Sequence, residues 1–319
     1  MTASPAVKDS KARRFFRLPP IRLLIAISAT IILAIAFLLP FSWLLTEQIG
    51  LLVFGGAAYG PTLMLLLVQG ASTAVASVLV AWFVGRVMER RGSLQEFGSS
   101  VSSALRQTAA GFAIGGAIMS LIVAVLALLG WYRFSPLPSP PLALFAAFFG
   151  FFLAALFEEV LFRGLLFRIL EEGIGSWGAI LLSSVVFGGV HAANPNATFL
   201  SSTAIALEAG ILLASAYLLT RNLWFAVGLH WGWNLFQGIV YGAPVSGLKP
   251  LPSILRSESV GPALWTGGAF GPEAGLMALG IATAIGLLLL SLAARKGQLR
   301  TPQWWQDRRT RQTLSNTTT

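Results

Sequence analysis

Two adjacent glutamates and an arginine, Glu158, Glu159 and Arg163, interrupt the otherwise apolar stretch FFLAALFEEVLFRG. Such charges are costly in hydrocarbon, and ionisable side chains at membrane depth tend to face a bundle interior or a wet cavity. His191, Glu208, His230 and Asn234 follow, again inside apolar runs, and the chain's only two histidines belong to this set. At about 100° per residue, Glu159 and Arg163 lie one turn apart on one helix face, in the favourable acid-then-base order. Glu158 points about 140° away from Arg163 on the same arithmetic. The spacing predicts that Arg163 pairs with Glu159 and leaves Glu158 available for chemistry. His230 and Asn234 are also i,i+4 and share a face of another helix. A carboxylate beside a neutral imidazole in a poorly solvated pocket can hold and deprotonate a water molecule. An imidazole N–H and an amide NH2 on another helix can donate to a developing oxyanion. The set suits amide hydrolysis without a covalent intermediate on the protein.

The elements that must position these groups are membrane helices. Of 319 residues, 55% are hydrophobic and only 11% charged, and mean hydropathy is +0.76. A soluble chain carries about 25% charged residues, so the composition points to an all-α, polytopic integral membrane bundle. The net charge of +10, from 22 Lys+Arg against 12 Asp+Glu, does not indicate nucleic acid, because the basic residues sit at chain ends and short connections. No cysteine is present, which excludes disulfides, thiolate metal sites and cysteine nucleophiles.

Runs of roughly 20 apolar residues give eight expected spans: 22–46, 62–86, 109–132, 142–171, 177–193, 199–220, 223–241 and 273–294. The first run follows Lys8, Lys11, Arg13, Arg14, Arg17 and Arg22 and is too long for a cleaved signal, so a retained span is expected. The ending SNTTT is read as carrying no lipidation signal. Lys and Arg cluster in alternate connections: Arg86, Arg90, Arg91 and Arg106; Arg163 and Arg168; Arg221; and the tail from Lys296 to Arg311. By the positive-inside rule both termini are then cytoplasmic. Trp304 and Trp305 beside Arg308 and Arg309 read as an interfacial anchor.

The expected organisation is a basic cytoplasmic N-tail (1–21), three N-terminal spans (22–141) and a core of four spans (142–242). An irregular Gly/Pro/Ser-rich outer loop (243–272), a last span (273–294) and a basic C-tail (295–319) complete it. If the fourth helix continues to Glu171, Glu158 lies roughly 20 Å above its cytoplasmic end. On the same rise His191 lies roughly 21 Å above Trp177, and His230 and Asn234 about 10 and 17 Å above the start of their span. Three helices can then bring a carboxylate, two imidazoles and an amide together. The small-residue runs GFAIGGA (111–117) and FGG (187–189) read as helix-packing faces.

The segments EEVLFR (158–163), FGGVH (187–191) and HWGWN (230–234) resemble the EExxxR, FxxxH and HxxxN motifs of the CPBP family, also called Abi. That family comprises CAAX prenyl endopeptidases, among them CAAX prenyl protease 2-like enzymes, and bacteriocin-processing membrane proteases. The resemblance covers roughly residues 142–242. It implies an intramembrane glutamic endopeptidase acting on a membrane-associated protein or peptide, in a multi-pass cell-membrane setting such as a bacterial inner membrane. Carried over by position, Glu158 would activate water with His191, His230 and Asn234 would form the oxyanion hole, and Glu159 and Arg163 would support the site.

Three other readings compete. Two His and two Glu could ligate zinc, but no HExxH is present and water held by Glu and His needs no metal, so no cofactor is expected. A non-catalytic scaffold or self-immunity protein would keep the same motifs. A proton-coupled transporter would also carry membrane Glu and His, yet would show interrupted helices in corresponding halves, which the sequence lacks. Glu208 belongs to no motif and is expected to meet another polar group or a wet crevice. The cut is expected near the cytoplasmic side.

Overall fold

Backbone N–H and C=O groups in lipid must be satisfied within the protein, and an apolar segment does this as a helix. The computed structural model describes residues 18–43, 60–90, 100–248 and 250–302, and it is mostly helical. The basic N-tail up to Arg17 and the Trp304–Trp305 anchor lie outside the described residues. The helices are α1 (Pro19–Trp43), α2 (Gly60–Phe83), α3 (Val101–Leu128), α4 (Pro141–Glu159), α5 (Arg168–His191), α6 (Phe199–Ile205), α7 (Ile211–Thr220) and α8 (Leu223–Leu235). A one-turn α9 (Ala263–Thr266) and a long α10 (Leu276–Arg295) follow. Wider π-helical segments extend or join several of them: Val84–Met88 after α2, Val160–Phe167 between α4 and α5, Ala206–Gly210 between α6 and α7, and Phe236–Val240 after α8.

Six helical stretches among the described residues are long and apolar enough to cross a membrane. Two features explain why the apolar runs suggest eight. The stretch Pro141–His191 counts once, but it reverses at Gly175 (φ 75, ψ 173), so that Phe162 stacks edge-on against Phe187. The α8 run is divided between a short α-helix and its π-helical extension. Gly175 has a second constraint besides its positive φ: a Cβ there would lie 2.8 Å from Pro302 Cδ and 2.9 Å from the Arg300 carbonyl. The turn between α7 and α8 is equally tight, with Arg221 left-handed (φ 52) and Asn222 capping α8 through the Trp224 N–H.

At the Gly175 end, several cations counted above as connections are bound inside the fold. Arg22 pairs with Glu89 and Glu172, both at 2.6 Å, and Arg168 meets Glu89 at 2.9 Å. Arg221 pairs with Glu171 at 2.5 Å. Arg163 is not in a connection at all, being buried within the bundle. These pairs tie α1, α2, α5 and the α7–α8 turn together. Removing one partner of such a buried pair leaves the other uncompensated, at about 3–5 kcal/mol.

The opposite end is more ordered than the expected irregular loop. Strand β1 (Tyr132–Pro136) follows α3 and pairs antiparallel with β2 (Leu255–Ser259), from Tyr132 opposite Ser259 to Pro136 opposite Leu255. Tyr132 therefore belongs to this cap rather than to the third span, and the last helix begins at Leu276 rather than at residue 273.

Candidate active site

The helix carrying His230 and Asn234 is set in place by glycines. A Cβ at Gly111 or Gly115 of α3 would lie 2.2 or 2.0 Å from the carbonyl oxygen of Phe225 or Leu229 on α8. Reciprocally, a Cβ at Gly228 or Gly232 would lie 2.2 Å from the carbonyl oxygen of Thr108 or Phe112. The two backbones approach as closely as only glycine allows, which is the small-residue packing of membrane helices. In FGG only the first glycine packs this way: a Cβ on Gly188 would lie 2.4 Å from Ser202 O, whereas Gly189 faces open space.

The helix of Glu158 does continue through Arg168, by way of the π segment Val160–Phe167, as far as Gly175. Glu158 and His191 stand 17 and 16 residues from that turn, so they lie at matching depth on the two limbs. Arg163 is buried and its Nη1 donates to Glu159 Oε1 at 3.0 Å. Its Nη2 donates to the carbonyls of Ala209 and Gly210, at 3.2 and 3.4 Å. Those carbonyls belong to the π segment between α6 and α7, where the wider turn shifts the hydrogen-bond pattern and leaves oxygens open to a second donor. The guanidinium also lies 4.7 Å from the Phe187 ring centroid. One cation thus joins three helical segments around the site.

Glu159 has a role that helical phase could not show. Its Oε1, already bound by Arg163, accepts from His230 Nδ1 at 2.9 Å. A carboxylate only accepts, so Nδ1 carries the proton and Nε2 turns toward Glu158, 3.9 Å from Oε2. That distance is too long for a hydrogen bond. Glu158 Oε2 has no hydrogen-bond partner, while Glu158 as a whole is partly exposed to a cleft. His191 Nδ1 lies 2.7 Å from its own helix's Phe187 carbonyl, so it donates there and leaves Nε2 as an acceptor. Phe187 separates the imidazoles, with ring centroids 4.7 Å from His191 and 6.4 Å from His230.

Glu158, His191 and Asn234 share a cleft of about 490 Å³ that runs to Gln69 and Thr73 on α2. A second, smaller cavity lies behind His191, His230 and Asn234 and reaches Glu208 and Glu273. All six residues singled out by spacing thus converge on one region. Glu273, in the short 3₁₀ turn before α10, is an addition that the sequence did not signal. Its Oε1 accepts from the Ser246 N–H at 2.5 Å and its Oε2 from the Gln237 amide. Burial outweighs these donors and pushes its carboxyl up to about 8.

The fold and the site define a polytopic α-helical membrane protein with a buried Glu/His/Asn cluster facing a cleft between its helices. Residues 140–236 match the family described as type II CAAX prenyl endopeptidase Rce1-like, in line with the motif resemblance noted above. The chain is also similar to a Bacillus subtilis (strain 168) protein named "Putative membrane peptidase YdiL", at 31% identity over 113 residues. That match covers 35% of this chain and 41% of the relative, so the chain spans about two fifths of the relative's length. No solved structure matches the chain significantly.

Proposed function

We propose that the chain is an intramembrane endopeptidase that hydrolyses a peptide bond of a membrane-associated protein or peptide by water activated at Glu158 and His191. The observation that carries this reading is the shared cleft, into which Glu158, His191 and Asn234 all face. The family of residues 140–236 and the name of the Bacillus relative support the same class of chemistry.

Glu158 removes a proton from a water held against the free Nε2 of His191, and the water oxygen bonds to the carbonyl carbon. The carbonyl oxygen takes the negative charge and accepts from the Asn234 NH2. With Nδ1–H committed to Glu159, His230 offers a second N–H at Nε2 only when doubly protonated, flanked by two carboxylates. The C–N bond then breaks, and the proton held by Glu158 passes to the leaving nitrogen. Preorganised donors in a water-poor site are worth about 3–4 kcal/mol each to such a transition state.

The mechanism needs no metal. Among the described residues no three His, Asp or Glu side chains are grouped to hold one. In addition, one nitrogen of each histidine is already engaged within the protein. The site stands roughly 24 Å from the Gly175 turn at 1.5 Å per residue, and on this reading the cut falls in the half of the bundle away from that turn. With the basic connections inside, as in a bacterial inner membrane, that half would be the outer one, an alternative to a cut near the cytoplasmic side.

The test is to purify the full chain and its Glu158→Gln variant and follow cleavage of a membrane-peptide library with and without a chelator. Cleavage by the wild type, untouched by chelation and reduced by about 10²-fold or more in the variant, is the expected result. Full cleavage by Glu158→Gln would remove the glutamate mechanism, and metal-restored activity after chelation would establish the zinc alternative. No cleavage of any substrate by the wild type would favour a scaffold or immunity role.

A further inference from the structure

Glu208 is fully buried, and neither of its carboxylate oxygens has a hydrogen-bond partner. A buried carboxyl group without partners is among the costliest arrangements a fold can hold. It lines the smaller cavity, together with Glu273, Ser246, Asn234 and both imidazoles. The cavity measures about 30 Å³, and a water needs roughly 10–15 Å³ on this scale together with 2–4 polar partners. The space therefore accommodates about two waters and is too small for a peptide side chain. Both oxygens of Glu208 lack donors, and water supplies them. A metal ion fits less well, because no three His, Asp or Glu side chains among the described residues are placed to ligate one ion together.

We propose that Glu208, with Glu273 opposite, anchors a pair of ordered waters in a chamber directly behind the catalytic imidazoles, and that Glu208 is a positioning residue for hydrolysis. The waters bridge Glu208 to the amide oxygen of Asn234, so that its NH2 turns toward the oxyanion, and keep the rear of the site hydrated. Glu208 touches neither substrate nor the reacting atoms. This inference rests on the hydrolytic reading of the site, and its test separates the two.

Hydroxyl radicals generated by X-ray radiolysis mark side chains beside bound water even where bulk solvent does not reach. The full-length protein in lipid nanodiscs is irradiated, and oxidation is compared at Trp233, which lines the chamber, and Tyr217, which is equally buried but does not. Labelling of Trp233 well above Tyr217 is expected. In Glu208→Leu the Trp233 label falls several-fold and kcat drops by about tenfold or more with KM within twofold, the signature of lost transition-state orientation. In Glu208→Gln, whose amide still binds water, both the label and kcat largely recover, which a purely structural role would not produce. A Trp233 label no higher than Tyr217 in the wild type overturns the proposal without any variant. Unchanged kcat in Glu208→Leu overturns the positioning role. A labelled chamber in a wild-type protein that cleaves nothing supports the water site and sinks the protease reading instead.

Discussion

Replacing Gly232 by alanine adds one methyl group between α3 and α8, and the structure sets its consequence. The new Cβ would lie 2.2 Å from the Phe112 carbonyl oxygen, about 1.2 Å short of the 3.4 Å where ordinary contact begins. That neighbour is helix backbone and cannot swing aside, so the helices must part by roughly that amount. Overpacking of this kind costs about 1–3 kcal/mol. The functional cost is larger, because His230 lies two residues before Gly232 on the displaced helix. A shift of about 1 Å is enough to break its 2.9 Å bond to Glu159 and to move Asn234 by a similar amount. Misplacement on this scale lowers a rate by about 10²-fold. The assay is peptide cleavage by Gly232→Ala beside its thermal unfolding midpoint, with Gly189→Ala, which faces open space, as the control. Wild-type stability and wild-type kcat in Gly232→Ala would refute the close-packing argument. Lost activity in the control as well would show that the effect does not come from the α3–α8 contact.

Glu159→Gln removes the charge that Arg163 and His230 share, leaving a buried guanidinium unpaired. It is expected to lower stability by about 3 kcal/mol and to reduce kcat more than Glu208→Leu does, measured by denaturation in detergent and by cleavage. The carboxyl of Glu273, pushed up to about 8 by burial, keeps a proton that the unfolded chain releases near pH 4.3. Its contribution to stability is therefore intact below that value and falls as pH rises toward 8, by up to about 1.4 kcal/mol per pH unit. Thermal unfolding between pH 5 and 8.5 is expected to show this decline in the wild type and a flatter profile in Glu273→Gln, whereas parallel profiles would count against a raised Glu273.

The membrane character, the helical content and the Glu159–Arg163 pair were legible in the sequence because each is a local property. Apolar run length sets the spans, and an i,i+4 spacing sets which charges meet. The six residues Glu158, Glu159, Arg163, His191, His230 and Asn234 could be selected on the same basis, since a polar group in an apolar run is conspicuous wherever it folds. Their partners could not. That Glu159 serves His230 as well as Arg163 depends on two segments 71 residues apart reaching the same depth. That match in turn depends on the Gly175 reversal and on π segments which no local preference favours. Arg22 and Arg168 looked like cytoplasmic charges because a basic residue near an apolar run reads the same whether exposed or paired, and only the fold brings Glu89 and Glu172 to them. The expected irregular loop hid a strand whose partner lies more than a hundred residues earlier. Glu273 stood at the very edge of the expected last span, where a carboxylate is not conspicuous, and only the fold brings Gln237 and Ser246 to it. Sequence determined the kind of solvent this chain is built for and which side chains are out of place in it. Tertiary structure alone decided what each of them faces, because side-chain environment in a bundle is set by neighbours distant in sequence.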